Sequence, residues 1–114
     1  MRYLCPPMST IVTLTTDFGL EGYRVAALKG TLVSAHPEIS IIDVSHQITP
    51  FDIDEAAFIL RSAFRHFPTG SVHMVNVMEY YSPNPNTLFF EVEGHKFIGP
   101  NNGVFSLIFD SLEQ

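Results

Sequence analysis

Ile11-Val12-Thr13-Leu14-Thr15-Thr16-Asp17-Phe18-Gly19 is the stretch that decides the fold. Ile11–Thr15 is β-branched and apolar, the pattern of a buried first strand. It runs straight into Thr16-Asp17-Phe18-Gly19, a turn with polar side chains and a glycine. Beyond the turn, small and apolar residues predict a helix from about Gly22 to Ala35. Tyr23, Ala26, Ala27, Leu28, Gly30 and Leu32 supply its apolar side, and His36-Pro37 stops it because the residue before proline disfavours helical angles. Ile39–Val44 is the second strand. Asp52 or Asp54 caps a second helix over about Ile53–Phe67, whose Ala56, Ala57, Leu60, Ala63, Phe64 and Phe67 follow the 3.6 period.

Ser71–Val77 reads as a third buried strand, and Glu79–Thr87, with its prolines and asparagines, as a surface loop. Leu88–Val92 and Lys96–Ile98 flank Glu93-Gly94-His95 as a β-hairpin. Gly99–Gly103 is expected to be a tight polar turn, and Val104–Leu112 a last helix or strand. The β-α-β-α-β order implies an α/β fold with a mostly parallel central sheet flanked by helices. Ligands of such sheets bind beyond the carboxyl ends of the strands. That points to the loops Thr16–Gly22, Ser45–Asp52 and Met78–Asn86.

Composition bounds the function. The chain has 114 residues, enough for one domain, and 46% are hydrophobic while only 16% are charged. Ten Phe and no Trp place the aromatic burial on phenylalanine. A mean hydropathy of +0.17 implies either a dense core or apolar surface meant for another domain or subunit. The net charge is −6 and the basic residues do not cluster, which disfavours nucleic-acid binding. No apolar run is long enough to span a membrane. A lone cysteine, Cys5, forms no internal disulfide, so a reducing, cytoplasmic location is expected. Residues 1–8, with Pro6-Pro7, read as a disordered leader ahead of a domain over 9–114, and Met8 is an alternative start.

The candidate chemistry is sparse. Asp17 offers a carboxylate at a strand end, suited to two ribose hydroxyls or to capping its own turn. Asp43 and His46 stand three apart after strand two. They are an acid–base or metal pair, or else His46 is a loop histidine hydrogen-bonded to backbone. The remaining histidines show no metal-ligand spacing. No phosphate-binding glycine motif and no nucleophile elbow is present. Phe51 walls a pocket or plugs the helix start, and Tyr80-Tyr81 suits a partner surface.

Six segments in order carry a resemblance. They are Thr13–Gly19, Lys29-Gly30, Ile42–Asp52, Ala56–Leu60, Phe67–His73 and Gly99–Ser106. Together they resemble the S-adenosyl-L-methionine hydroxide adenosyltransferases, relatives of the fluorinating and chlorinating enzymes. The resemblance implies an N-terminal α/β domain, with a C-terminal β-barrel domain that this chain lacks. It also implies a homotrimer with the ligand held between subunits. The implied reaction is attack of water or hydroxide at C5′ of S-adenosyl-L-methionine, giving adenosine and L-methionine with no cofactor.

Carried over by position, Asp17 matches the carboxylate that holds the ribose hydroxyls, and Phe51 the aromatic beside the substrate. The family's water-organising Asp falls on Met78, and its Arg near Pro85 or Asn86. Glu79 stands one residue off as a substitute catalytic carboxylate, with Met78 and Tyr81 as further substrate contacts. These departures keep a second reading open: a binding or structural domain without turnover. By itself the chain is expected to be inactive.

Overall fold

The computed structural model describes residues 10–77 and 84–112. The expected leader lies outside them. In chain order the elements are β1 (Ile11–Thr16), α1 (Arg24–Ala35), β2 (Ser40–Ser45), α2 (Ile53–Ala63), β3 (Val72–Asn76), β4 (Asn84–Val92), β5 (His95–Asn101) and α3 (Val104–Leu112). A single 3₁₀ turn, Phe64–His66, follows α2. The five strands form one sheet in the order β2-β1-β3-β5-β4. All neighbours are parallel except β4, which pairs antiparallel with β5. This is the α/β architecture that the strand–helix alternation implies.

The order places a topological switch between β1 and β3. The chain leaves β1 for β2 on one side, then crosses back over β1 to β3. Right-handed crossovers therefore set α1 and α2 on opposite faces. The two faces are packed very differently. On one, α2 and α3 bury Leu60, Phe64, Phe97, Phe105 and Ile108 in a continuous core. Phe105 and Phe109 stack with centroids 5.9 Å apart, and Phe97 and Phe90 meet Phe109 edge-on at 5.4 Å. The fully buried ones, Leu60, Phe64, Phe97 and Ile108, contribute about 1.5–3 kcal/mol each. On the other face, α1 buries no residue fully.

That corrects the expectation for α1. Tyr23 lies outside the helix and is exposed, as are Ala26, Ala27 and Gly30, while Leu28 and Leu32 are only half-buried. Small side chains allow close approach, but they carry too little apolar area to bury a stripe.

Three further boundaries differ from expectation. The α-helix of α2 stops at Ala63, and Phe64–His66 tightens into the 3₁₀ turn. Residues 84–87 belong to β4 rather than to a loop, because Asn84 and Thr87 pair with Asn101 and Pro100. For the same reason Gly99–Asn101 extends β5 instead of turning. Gly99 is needed there: a Cβ would stand 2.6 Å from the Val75 carbonyl oxygen. Among the described residues, no helix is long and apolar enough to cross a membrane.

Candidate functional site

The carboxyl ends of β1, β2 and β3 are stitched together by backbone groups. The Asp17 N–H donates to the Asn76 carbonyl at 3.4 Å, closing the gap between β1 and β3. The Ile48 N–H donates to the Thr16 carbonyl at 3.4 Å, and the Gly19 N–H to the His46 carbonyl at 2.7 Å. Gly19 has φ +81°, which a glycine adopts without a Cβ penalty. Asp17 thus stands at the switch point, where open α/β sheets hold ligands.

Phe51 reaches this point from the loop after β2. Its backbone N–H donates to Asp17 Oδ2 at 3.0 Å. Its φ is +67°, a left-handed conformation uncommon for a bulky side chain. The ring is 52% exposed. The helix start explains how this loop is held. Asp52 caps α2 by accepting the Glu55 N–H at 2.9 Å, and Glu55 reaches back to accept the Thr49 N–H. A carboxylate offers about four acceptor positions, so several donors can share Asp17.

Behind the Asp17 turn runs a line of side chains. Thr16 Oγ1 lies 2.7 Å from His46 Nδ1, and His46 Nε2 lies 2.8 Å from Asp43 Oδ1. Lys29 Nζ donates to Asp43 Oδ2 at 2.9 Å. Burial pushes the Asp43 carboxyl up, but the hydrogen bonds from Lys29 and His46 outweigh it and hold the group below its usual range. His46 is buried, and its ring is bonded to side chains rather than to backbone. Among the described residues, no three His, Cys, Asp or Glu side chains gather closely enough to hold a metal ion.

The β5 side closes the same end of the sheet. Asn102 Nδ2 donates to the Val77 carbonyl at 2.7 Å, and Asn102 Oδ1 accepts the Val104 N–H at 3.2 Å. One side chain therefore caps α3 and ties it to the end of β3.

Of the residues singled out in the sequence, Asp17 and Phe51 are brought together. Met78, Glu79 and Tyr81, with Tyr80, lie outside the described residues. Sequence reasoning missed a second histidine site near the amino ends of β3 and β5. There His73 Nε2 meets His95 Nδ1 at 3.1 Å, and Thr13 Oγ1 meets His73 Nδ1 at 2.7 Å. Phe64, Phe67 and Phe97 surround His73. Burial, then the neighbouring His95, lowers the His73 pKa to about 4. Burial lowers His95 as well. Only the register of β3 against β5 unites these residues, and no spacing signals it.

Comparison with known proteins settles the family. The model of the SAM hydroxide adenosyltransferase N-terminal domain matches residues 12–114. This chain belongs to that family. An (R)-S-adenosyl-L-methionine hydrolase of Methanocaldococcus jannaschii is 35% identical over 96% of this chain and 43% of its own length. A protein of the same name from Thermus thermophilus is 32% identical over 84% of this chain and 37% of its own length. A fluorinase of Actinoplanes sp. is 37% identical over 54% of this chain and 21% of its own length.

Among solved structures, an uncharacterized conserved protein from Thermotoga maritima superposes with a TM-score of 0.79 at 28% identity, covering 90% of this chain and 39% of that one. The chain thus spans less than half the length of each of these proteins.

Proposed function

We propose that this chain holds the nucleoside part of S-adenosyl-L-methionine for cleavage at C5′, with Asp17 accepting the ribose hydroxyls. One observation carries the reading: the Asp17 carboxylate stands at the switch point of the sheet, held by the Phe51 N–H at 3.0 Å. A carboxylate accepts two neighbouring hydroxyls well, and charge-assisted bonds of this type are the strong ones. The half-exposed Phe51 ring supplies an apolar wall beside it. The name shared by several curated relatives, (R)-S-adenosyl-L-methionine hydrolase, supports the substrate class.

In the reaction, a water or hydroxide oxygen forms a bond to C5′ while the C5′–S bond breaks. The bonding pair goes to sulfur, which leaves as the neutral thioether of L-methionine. Attacking water loses its proton to solvent or a base, and adenosine results. A neutral leaving group needs no acid, so the protein's work is alignment and removal of water from the nucleophile. The protein assembles as a trimer in this reading and requires no cofactor.

A second reading is favoured by a departure from the resemblance: Met78 falls where that resemblance implies a water-organising Asp. The chain then binds the nucleoside without turnover. Calorimetric titration with adenosine and S-adenosyl-L-methionine, on wild type and Asp17→Ala, tests the shared claim, and chromatography for adenosine released by the assembled trimer separates the two readings. Binding that disappears in Asp17→Ala supports nucleoside recognition. No binding of either ligand by the folded wild-type chain overturns both readings.

A further inference from the structure

The side chains behind Asp17 form a chain with one consistent direction. Asp43 is a carboxylate held in its charged form, so it only accepts. His46 Nε2 must therefore carry the proton that bridges the 2.8 Å to Asp43 Oδ1. In the neutral ring Nδ1 is then a lone pair, and it takes the Thr16 hydroxyl proton across 2.7 Å. The Thr16 oxygen, its proton committed, accepts the Phe18 N–H at 3.2 Å. The opposite tautomer would aim a lone pair of the ring at the carboxylate. Lys29 holds the far oxygen of Asp43 and so fixes that end.

His46 grips the turn a second time, through its carbonyl on the Gly19 N–H at 2.7 Å. The amides of Phe18 and Gly19, the two residues directly after Asp17, are thus both held by this one buried histidine, the first through Thr16.

We propose that His46 is a positioning residue for the Asp17 carboxylate, acting through Thr16, with Asp43 serving only to fix the ring's tautomer, and without touching the nucleoside. The proposal rests on the reading of Asp17 as the acceptor of the ribose hydroxyls. Aim matters for such an acceptor because hydrogen bonds weaken steeply away from linearity. A carboxylate fixed before the ligand arrives also avoids the ordering cost at binding.

The test uses two substitutions that each keep one end of the ring. His46→Asn places an amide oxygen where Nδ1 accepts from Thr16. His46→Gln places its amide where Nε2 meets Asp43. The Phe51 amide, bonded to Asp17 Oδ2, reports the carboxylate without any ligand. Hydrogen exchange of the Phe51 and Phe18 amides is followed beside adenosine affinity, with the Val75 amide as a control for the fold.

His46→Asn should keep both amides protected and affinity within about threefold, whereas His46→Gln should lose roughly tenfold in each, the scale of one hydrogen bond. Nitrogen shifts of the wild-type ring should show Nε2 protonated and Nδ1 bare. Equal behaviour of the two variants, or the opposite tautomer, overturns the proposal. If the His46 variants do not fold, Thr16→Val against Thr16→Ser asks the same question: the valine should lose Phe18 and Phe51 protection and the serine restore it. Equal protection in those two also overturns the proposal. Amides that split as expected while no form binds adenosine would leave the positioning role standing and remove the nucleoside reading.

Discussion

His46 and His73 are both buried, and both use each ring nitrogen, yet their surroundings are opposite in kind. His46 has a carboxylate behind it and a lysine behind that, near the surface at the carboxyl ends of the strands. His73 has a second imidazole, a threonine and three phenylalanine rings, with the exposed Arg65–Glu93 ion pair beyond. A carboxylate tolerates a proton on the imidazole beside it, whereas another imidazole in an apolar box opposes one. The first setting suits a device that orients a loop for ligand. The second suits a neutral strut inside a core.

The largest test of that contrast is His73→Ala. It empties a fully buried site and strands Thr13 and His95, so urea unfolding should show a loss of about 3–4 kcal/mol. His46→Ala should cost roughly half as much, because solvent can replace it at the half-exposed Asp43. Equal losses would erase the distinction.

Acid should act next, and on the His73 end first. Its folded pKa, about 4, lies below the ordinary 6.5, so the unfolded chain takes up the proton more readily. Stability is then complete above about pH 6.5 and declines as pH falls toward 4, by about 2–3 kcal/mol. His73→Phe should flatten that slope in unfolding measured across the range. The Asp43 carboxyl, held low, protects the His46 end until pH falls through the carboxylate range.

Asp17→Ala should divide the two ends by function. Adenosine affinity should drop roughly 30-fold, about 2 kcal/mol, while the unfolding free energy changes by less than about 0.5 kcal/mol. The smallest effect belongs to Phe51→Gly. Relief of the left-handed backbone should offset loss of the half-exposed ring, for a net gain of no more than about 0.5 kcal/mol, while nucleoside affinity falls. Strong destabilisation would show that the ring is a structural plug instead.

Much of the fold was legible because it rests on local pattern. The β-branched run at Ile11, the period of α2 and the cap at Asp52 each speak through neighbours in sequence. The errors arose where pairing or coverage decides. Residues 84–87 and Gly99–Asn101 look like turns by composition and are strands because each supplies the other's partner. The weak burial of α1 follows from side chains too small to bury a stripe, which a count of apolar positions overstates. Asp17 and Phe51 stand where sequence position put them, at the end of β1 and in the loop before α2. The link between His46 and Thr16, and the meeting of His73 with His95, depend on how β1, β2, β3 and β5 align.

The place of β1 has a consequence for the order in which the chain can assemble during synthesis. Of the described strands β1 is made first, yet it pairs with Ser40–Ser45 on one side and with Val72–Asn76 on the other. At the ribosome it gains one neighbour only after α1 has emerged, and the second only after α2. Until then its apolar edge is open to other chains, so nascent protein is most vulnerable to aggregation in the interval between the making of β1 and β3.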